Sequence, residues 1–234
     1  MNYNLIKSIS SCVFIFIISV VSCQYPYHIE YEKECEFALN FYEEHKIEFQ
    51  DQGTKIHVEA PFMFSIVAPE VSQFVKLSNT IETYSLKVLY VQYGKGYADF
   101  SIGHFQMKPS FIEGLENYIV NNKELKIKYK SYLFQDSKSK NARIERIDRL
   151  NSISWQIKYL SVFCDLIHHK FNTIQFASNS EKVRFFASAY NSGFHKSENE
   201  LKSMQKMKYF PKFGLEKYNY SDITNWFYKE IQSD

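Results

Sequence analysis

Glycine and proline are scarce in this chain of 234 residues, at seven and five, which leaves few places where a helix must stop. Cysteine is nearly as rare, at four, and no Cys-x-x-Cys pair or His-Glu-x-x-His segment occurs, so the sequence gives a zinc site no support. Net charge is also small: 28 basic residues stand against 26 acidic ones. No internal repeat or low-complexity tract is present. Beyond the N-terminus nothing approaches the run of about 18–20 apolar residues that a membrane helix needs.

What the sequence does have begins with its first 23 residues. Lys7 supplies a positive start, Ile9 to Val21 an apolar run, and Ser22 and Cys23 a small-residue boundary. This pattern predicts a secretory signal peptide at 1–23 and an exported chain at 24–234, placed in the periplasm or cell envelope. Two ends remain open. Val20-Val21-Ser22-Cys23 fits a lipobox, in which lipidated Cys23 would tie the chain to a membrane, and cleavage after Cys23 would release a soluble protein starting at Gln24. Export makes nucleic acid an unsuitable partner. Cys12 belongs to the leader, leaving Cys35 and Cys164, which an oxidising compartment would allow to form a disulfide.

The mature chain has the length of one domain. Its apolar residues recur at helical spacing, and the expected class is mostly α. Phe37, Phe41 and Tyr42 fit one helix, and Ile81, Tyr84, Val88 and Val91 another, opened by Ser78-Asn79. From Ile144 to Cys164 a rhythm of three and four persists, predicting one long helix. Ser110-x-x-Glu113 and Ser197-x-x-Glu200 have capping-box form, with Pro109 suited to a helix entrance, and Ser221-Asp222 heads a final helix holding Trp226 and Phe227. Three glycines between Tyr93 and Phe105 mark an irregular loop. Charge is uneven along the chain. Glu30 to Asp51 holds eight acids against two lysines, and Asn121 to Leu150 nine bases against four acids. The basic stretch is either the solvated face of helices or a patch that attracts an anionic polymer.

Three short segments stand out. Glu70 closes the apolar stretch Phe62-Met63-Phe64-Ser65-Ile66-Val67-Ala68-Pro69-Glu70; Gly103-His104-Phe105-Gln106-Met107-Lys108-Pro109 follows, and then Ala189-Tyr190-Asn191-Ser192-Gly193. Taken locally, Glu70 is either an exposed acid on the edge of an amphipathic helix or a desolvated one whose pKa is raised. In order and kind, the three segments resemble the signatures of the lytic transglycosylases and their goose-type lysozyme relatives. The match runs from about Pro61 to Gly193, with similarity confined to the three segments.

The resemblance implies a lysozyme-like α-helical domain with a glycan-binding groove and an insertion around 121–170. It also implies a peptidoglycan lytic transglycosylase that forms 1,6-anhydro-muramic acid without a cofactor or metal. By resemblance, Glu70 is the general acid/base, Tyr190 and Asn191 position it and the sugar, and Gln106, with Gly103 and Met107, lines the groove. Val71 stands where the family usually carries serine, and Pro69 removes a backbone donor ahead of Glu70. Both departures suit the alternative of an inactive envelope protein that binds glycan or a secretion-machinery partner. Ordinary glycosidases use two carboxylates, and Asp99 in the glycine loop is the best candidate for a second. Cys164 and His168, four apart, could pair on a helix as a thiol and imidazole. His104 is either a ligand contact or an ordinary loop residue.

Overall fold

The computed structural model describes residues 26–77 and 80–233. The expected leader, its Cys23 boundary and the Ser78-Asn79 helix start lie outside the described residues. In chain order the helices are α1 (Tyr27–Glu30), α2 (Glu32–Thr54), α3 (Ala60–Leu77), α4 (Thr80–Tyr93), α5 (Pro109–Val120), α6 (Lys123–Lys128), α7 (Lys140–Asn151), α8 (Ile153–Lys170), α9 (Asn179–Ser192), α10 (Glu198–Met204) and α11 (Tyr220–Ser233). A 3-10 turn covers Lys130–Tyr132 between α6 and α7. The strands β1 (Lys208–Phe210) and β2 (Tyr218–Asn219) pair antiparallel ahead of α11. The protein is thus mostly α. Among the described residues no helix is long and apolar enough to cross a membrane.

From Phe62 to Pro69 helix α3 is apolar but for Ser65 and buried at every position, the pattern of a helix enclosed on all sides. Met63, Phe64, Ile66, Val67, Ala68 and Val71 have no solvent exposure. Helices α2, α8, α9 and α11 enclose it. Phe64 packs edge-on against Phe49 of α2 with ring centroids 5.5 Å apart, and Phe49 in turn meets Phe105 at 6.0 Å. Each such side chain stabilises the fold by about 1.5–3 kcal/mol when removed from water. This packing explains why Pro69, which removes a backbone donor, does not break the helix. α3 runs through it to Leu77, because contacts on all sides offset the one lost backbone bond.

Several expected boundaries move for identifiable reasons. The rhythm from Ile144 to Cys164 is two helices, not one. Ser152 takes an extended conformation and caps α8, its hydroxyl accepting from the Trp155 amide. Ser110 is not a cap. Lys108 occupies that place with Pro109 next, and Asp99 reaches over from the preceding loop to accept from the Ser110 amide (3.1 Å) and hydroxyl (2.8 Å). At the head of α11 the capping oxygen belongs to Asn219, which accepts from the amides of Ser221 (2.9 Å) and Asp222 (3.3 Å). The Ser197–Glu200 capping box is present with both of its reciprocal bonds.

Cys35 and Cys164 are both buried and unbridged. Residues 121–170, expected as an insertion, hold α6, α7 and α8, and α8 is deeply buried, with ten buried residues from Gln156 to Ile167.

Candidate active site

Glu70 lies in the second half of α3, where the helix meets α9. Its side chain is half-buried. Removal of the carboxyl from water pushes its pKa up to about 8, and a hydrogen bond from Asn191 Nδ2 to Oε1 (3.3 Å) opposes part of that rise. At neutral pH this group is therefore a protonated acid. Three tyrosines, Tyr190, Tyr209 and Tyr220, surround it closely enough for the Glu70 charge to raise their own pKa values, after burial as the main cause. Tyr220 is fixed by donating to the Ile66 carbonyl one turn earlier on α3 (3.0 Å).

The glycine loop folds beside this carboxyl. Ile102 and Met107 form an antiparallel bridge through both backbone bonds (2.9 and 3.2 Å), so Gly103 to Gln106 make a tight turn. Gly103 has φ +71, and a Cβ there would sit 1.9 Å from Gln156 Nε2, so any side chain would be strained and would have to displace the Gln156 amide. Gln106 also has positive φ, at 50, and its side-chain amide donates to the Gly103 carbonyl (2.9 Å). Two distant residues clamp Phe105 at the centre. Gln156 Oε1 accepts from its amide (2.9 Å) while Gln156 Nε2 donates to the Leu150 carbonyl, and the Tyr190 hydroxyl donates to the Phe105 carbonyl (2.6 Å). His104 stacks on Phe74, with ring centroids 4.0 Å apart, one turn beyond Glu70 on α3, and on Phe41 at 4.9 Å. Burial and the neighbouring His45 lower its pKa, so its ring is neutral at pH 7.

The structure therefore joins the three sequence segments. Asn191 of α9 touches Glu70, and its neighbour Tyr190 holds the loop between Gly103 and Gln106. The individual roles differ from those expected. Tyr190 acts on the loop backbone and not on the carboxyl. The Gln106 amide is turned into its own loop. Met107 is 2% exposed and faces the core, with no surface for a saccharide. Val71 also points into the core, so position 71 is no place from which a hydroxyl would reach a sugar.

Other acids are occupied elsewhere. Asp99 closes the start of α5 and approaches Lys108 (3.9 Å). Glu113 accepts from Tyr90 and pairs with Lys95 (3.1 Å), and Glu116 is held by Arg146. Among the described residues no second carboxyl bonds to Glu70. The Cys164 thiol is fully buried and its pKa is pushed far up, while His168 is exposed, so they do not form a nucleophilic pair. Among the described residues no cluster of three metal-binding side chains occurs.

Sequence reading missed Gln156, Tyr209 and Tyr220. Gln156 carried a signal, as a lone amide between Ile153 and Ile157 on an otherwise apolar helix face. The two tyrosines carried none, in a chain with eighteen of them. No protein family, curated protein or solved structure matches this chain.

Proposed function

We propose that this chain is a peptidoglycan lytic transglycosylase in which Glu70 serves alone, first as acid and then as base. The observation that carries the reading is the setting of Glu70: a carboxyl kept protonated by burial, bonded by Asn191, beside a loop that Tyr190 and Gln156 hold rigid. A protonated Glu70 donates its proton to the bridging glycosidic oxygen as the bond from the anomeric carbon breaks. Its carboxylate, stabilised by the Asn191 amide, then takes the proton of the sugar's own C6 hydroxyl as that oxygen bonds to the anomeric carbon. The product is a 1,6-anhydro ring, Glu70 ends protonated, and no water is consumed. A tethered nucleophile gains the advantage of proximity and fits a site with one carboxyl. The substrate then lies in the cell envelope, as the export pattern at residues 1–23 implies.

The inward turn of Gln106 and Met107 favours a second reading, an envelope glycan-binding or partner-binding protein that does not cleave. Zymography on purified cell wall with wild type and Glu70→Gln separates the two. The proposal expects clearing by wild type and at least about 10²-fold less by the variant. Wall binding without clearing by wild type supports the second reading.

A further inference from the structure

The basic stretch between Asn121 and Leu150 plays no part in the chemistry at Glu70, yet the fold gives it a destination. Lys126, Lys138, Arg143 and Arg146 line a cavity of about 800 Å³ whose far wall is the Gly94-Lys95-Gly96 turn and the face of α5. Five cations thus face two acids, Glu113 and Glu116. Both acids are already engaged. Arg146 holds Glu116 through two bonds (2.8 and 2.6 Å), and Lys95 and the Tyr90 hydroxyl hold Glu113.

The three remaining cations have no carboxylate partner among the described residues. Arg143 gives three of its five N–H donors to the carbonyls of Val91, Gln92 and Lys138, which fixes its position without neutralising it and leaves two donors over. The Lys126 and Lys138 side chains are exposed and have no ion-pair partner among the described residues. Uncompensated cations around a concave wall concentrate anions there.

The rim adds a second chemistry. Tyr93, a lining residue, is 61% exposed, and its ring meets that of Tyr97, itself 71% exposed, at a centroid distance of 5.0 Å. Exposed paired tyrosines present flat apolar faces with polar tips, a surface suited to the faces of sugar rings. Phe134, against Arg146 at 4.9 Å, continues the aromatic lining inside.

We propose that this cavity binds an anionic saccharide, the tyrosine rim taking a sugar face while Lys126, Lys138 and Arg143 take its acidic group. The acid is a carboxylate or a phosphate, either of which accepts charge-assisted hydrogen bonds from these donors. The site stands apart from the cleavage chemistry, since none of its lining residues bonds to Glu70. It does share a loop with that chemistry. The segment from Gly94 to Gln106 begins in the cavity wall and ends in the turn beside Glu70.

Isothermal titration calorimetry on the mature protein tests the proposal with three probes: an oligogalacturonate, glucose 6-phosphate, and neutral maltohexaose. At least one of the two acidic probes should bind, with affinity falling as salt rises, and the neutral sugar should bind at least about tenfold more weakly. The tighter of the acidic probes identifies the acid group. The double variant Lys126→Gln/Lys138→Gln removes exposed side chains, and it should fold normally and weaken acidic binding by about tenfold or more. Tyr93→Ala should weaken it as well. Glu70→Gln should bind like wild type, which keeps this outcome separate from that of the cleavage reading. Equal binding of neutral and acidic probes, unchanged affinity in the double lysine variant, or no binding by either acidic probe each overturns the proposal.

Discussion

Glu70 combines two properties that pull against each other. Burial makes it an acid at neutral pH and also makes its ionisation costly to the fold. If it donates the proton, kcat/KM for wall cleavage should hold below about pH 8 and fall above it, as the acid form is lost through the folded-state value of about 8. A rate that rises through that pH would remove Glu70 from the donor role. Stability should move with the same titration. The folded protein keeps a proton that the unfolded chain releases near the ordinary value of 4.5, so this contribution is complete below that pH and is lost as pH rises towards 8. With each pKa unit worth about 1.4 kcal/mol and the half-buried state of the side chain discounted, about 2 kcal/mol is at stake. Glu70→Gln should therefore melt above wild type at pH 8 and together with it near pH 4, a difference that thermal melts at the two pH values read directly. Sequence singled out Glu70 through its apolar neighbours and its place ahead of the loop. It gave no sign of Tyr209 and Tyr220, because their approach to Glu70 depends on how β1 and α11 return to α3.

At the scale of elements, the short turn between Ile102 and Met107 is held from outside. Glycine is favoured at 103 by its left-handed backbone and by the Gln156 side chain filling the space of a Cβ. Gly103→Ala should cost about 2 kcal/mol or more in urea unfolding, by left-handed strain and a clash with a buried amide. Tyr190→Phe removes the one bond from α9 to the Phe105 carbonyl. It should cost about 1 kcal/mol and speed hydrogen exchange at the Gln106 and Met107 amides while leaving α3 protected. Unchanged exchange at those amides would show that the bond does not hold the loop. The presence of these helices was legible from their periodicity. Their ends were less so, because the capping groups came from elsewhere: Asp99 caps a helix eleven residues on, and Ser152 sits inside an unbroken apolar rhythm.

For the whole molecule, the mostly α class followed from scarce glycine and helical spacing, whereas the arrangement of helices around α3 did not, since it rests on pairings between distant segments. One such pairing ties α5 to α7. Arg146 is fully buried and meets Glu116, Tyr90 and the Ser137 carbonyl. Arg146→Met leaves the Glu116 carboxyl buried without its partner and should destabilise the fold by about 3 kcal/mol, with much of that recovered in Arg146→Met/Glu116→Leu. Equilibrium unfolding of the single and double variants measures the coupling, and simple additivity would contradict it.

One carboxyl acting with a nucleophile supplied by the substrate itself leaves a distinctive product, which mass analysis of muropeptides reads after digestion of purified cell wall with the mature protein. Fragments should end in 1,6-anhydro-muramic acid, lighter by one water than hydrolytic products, resistant to borohydride, and absent with Glu70→Gln. Reducible ends alone would contradict this by showing that water is the nucleophile, and intact wall at every pH tried would contradict cleavage altogether.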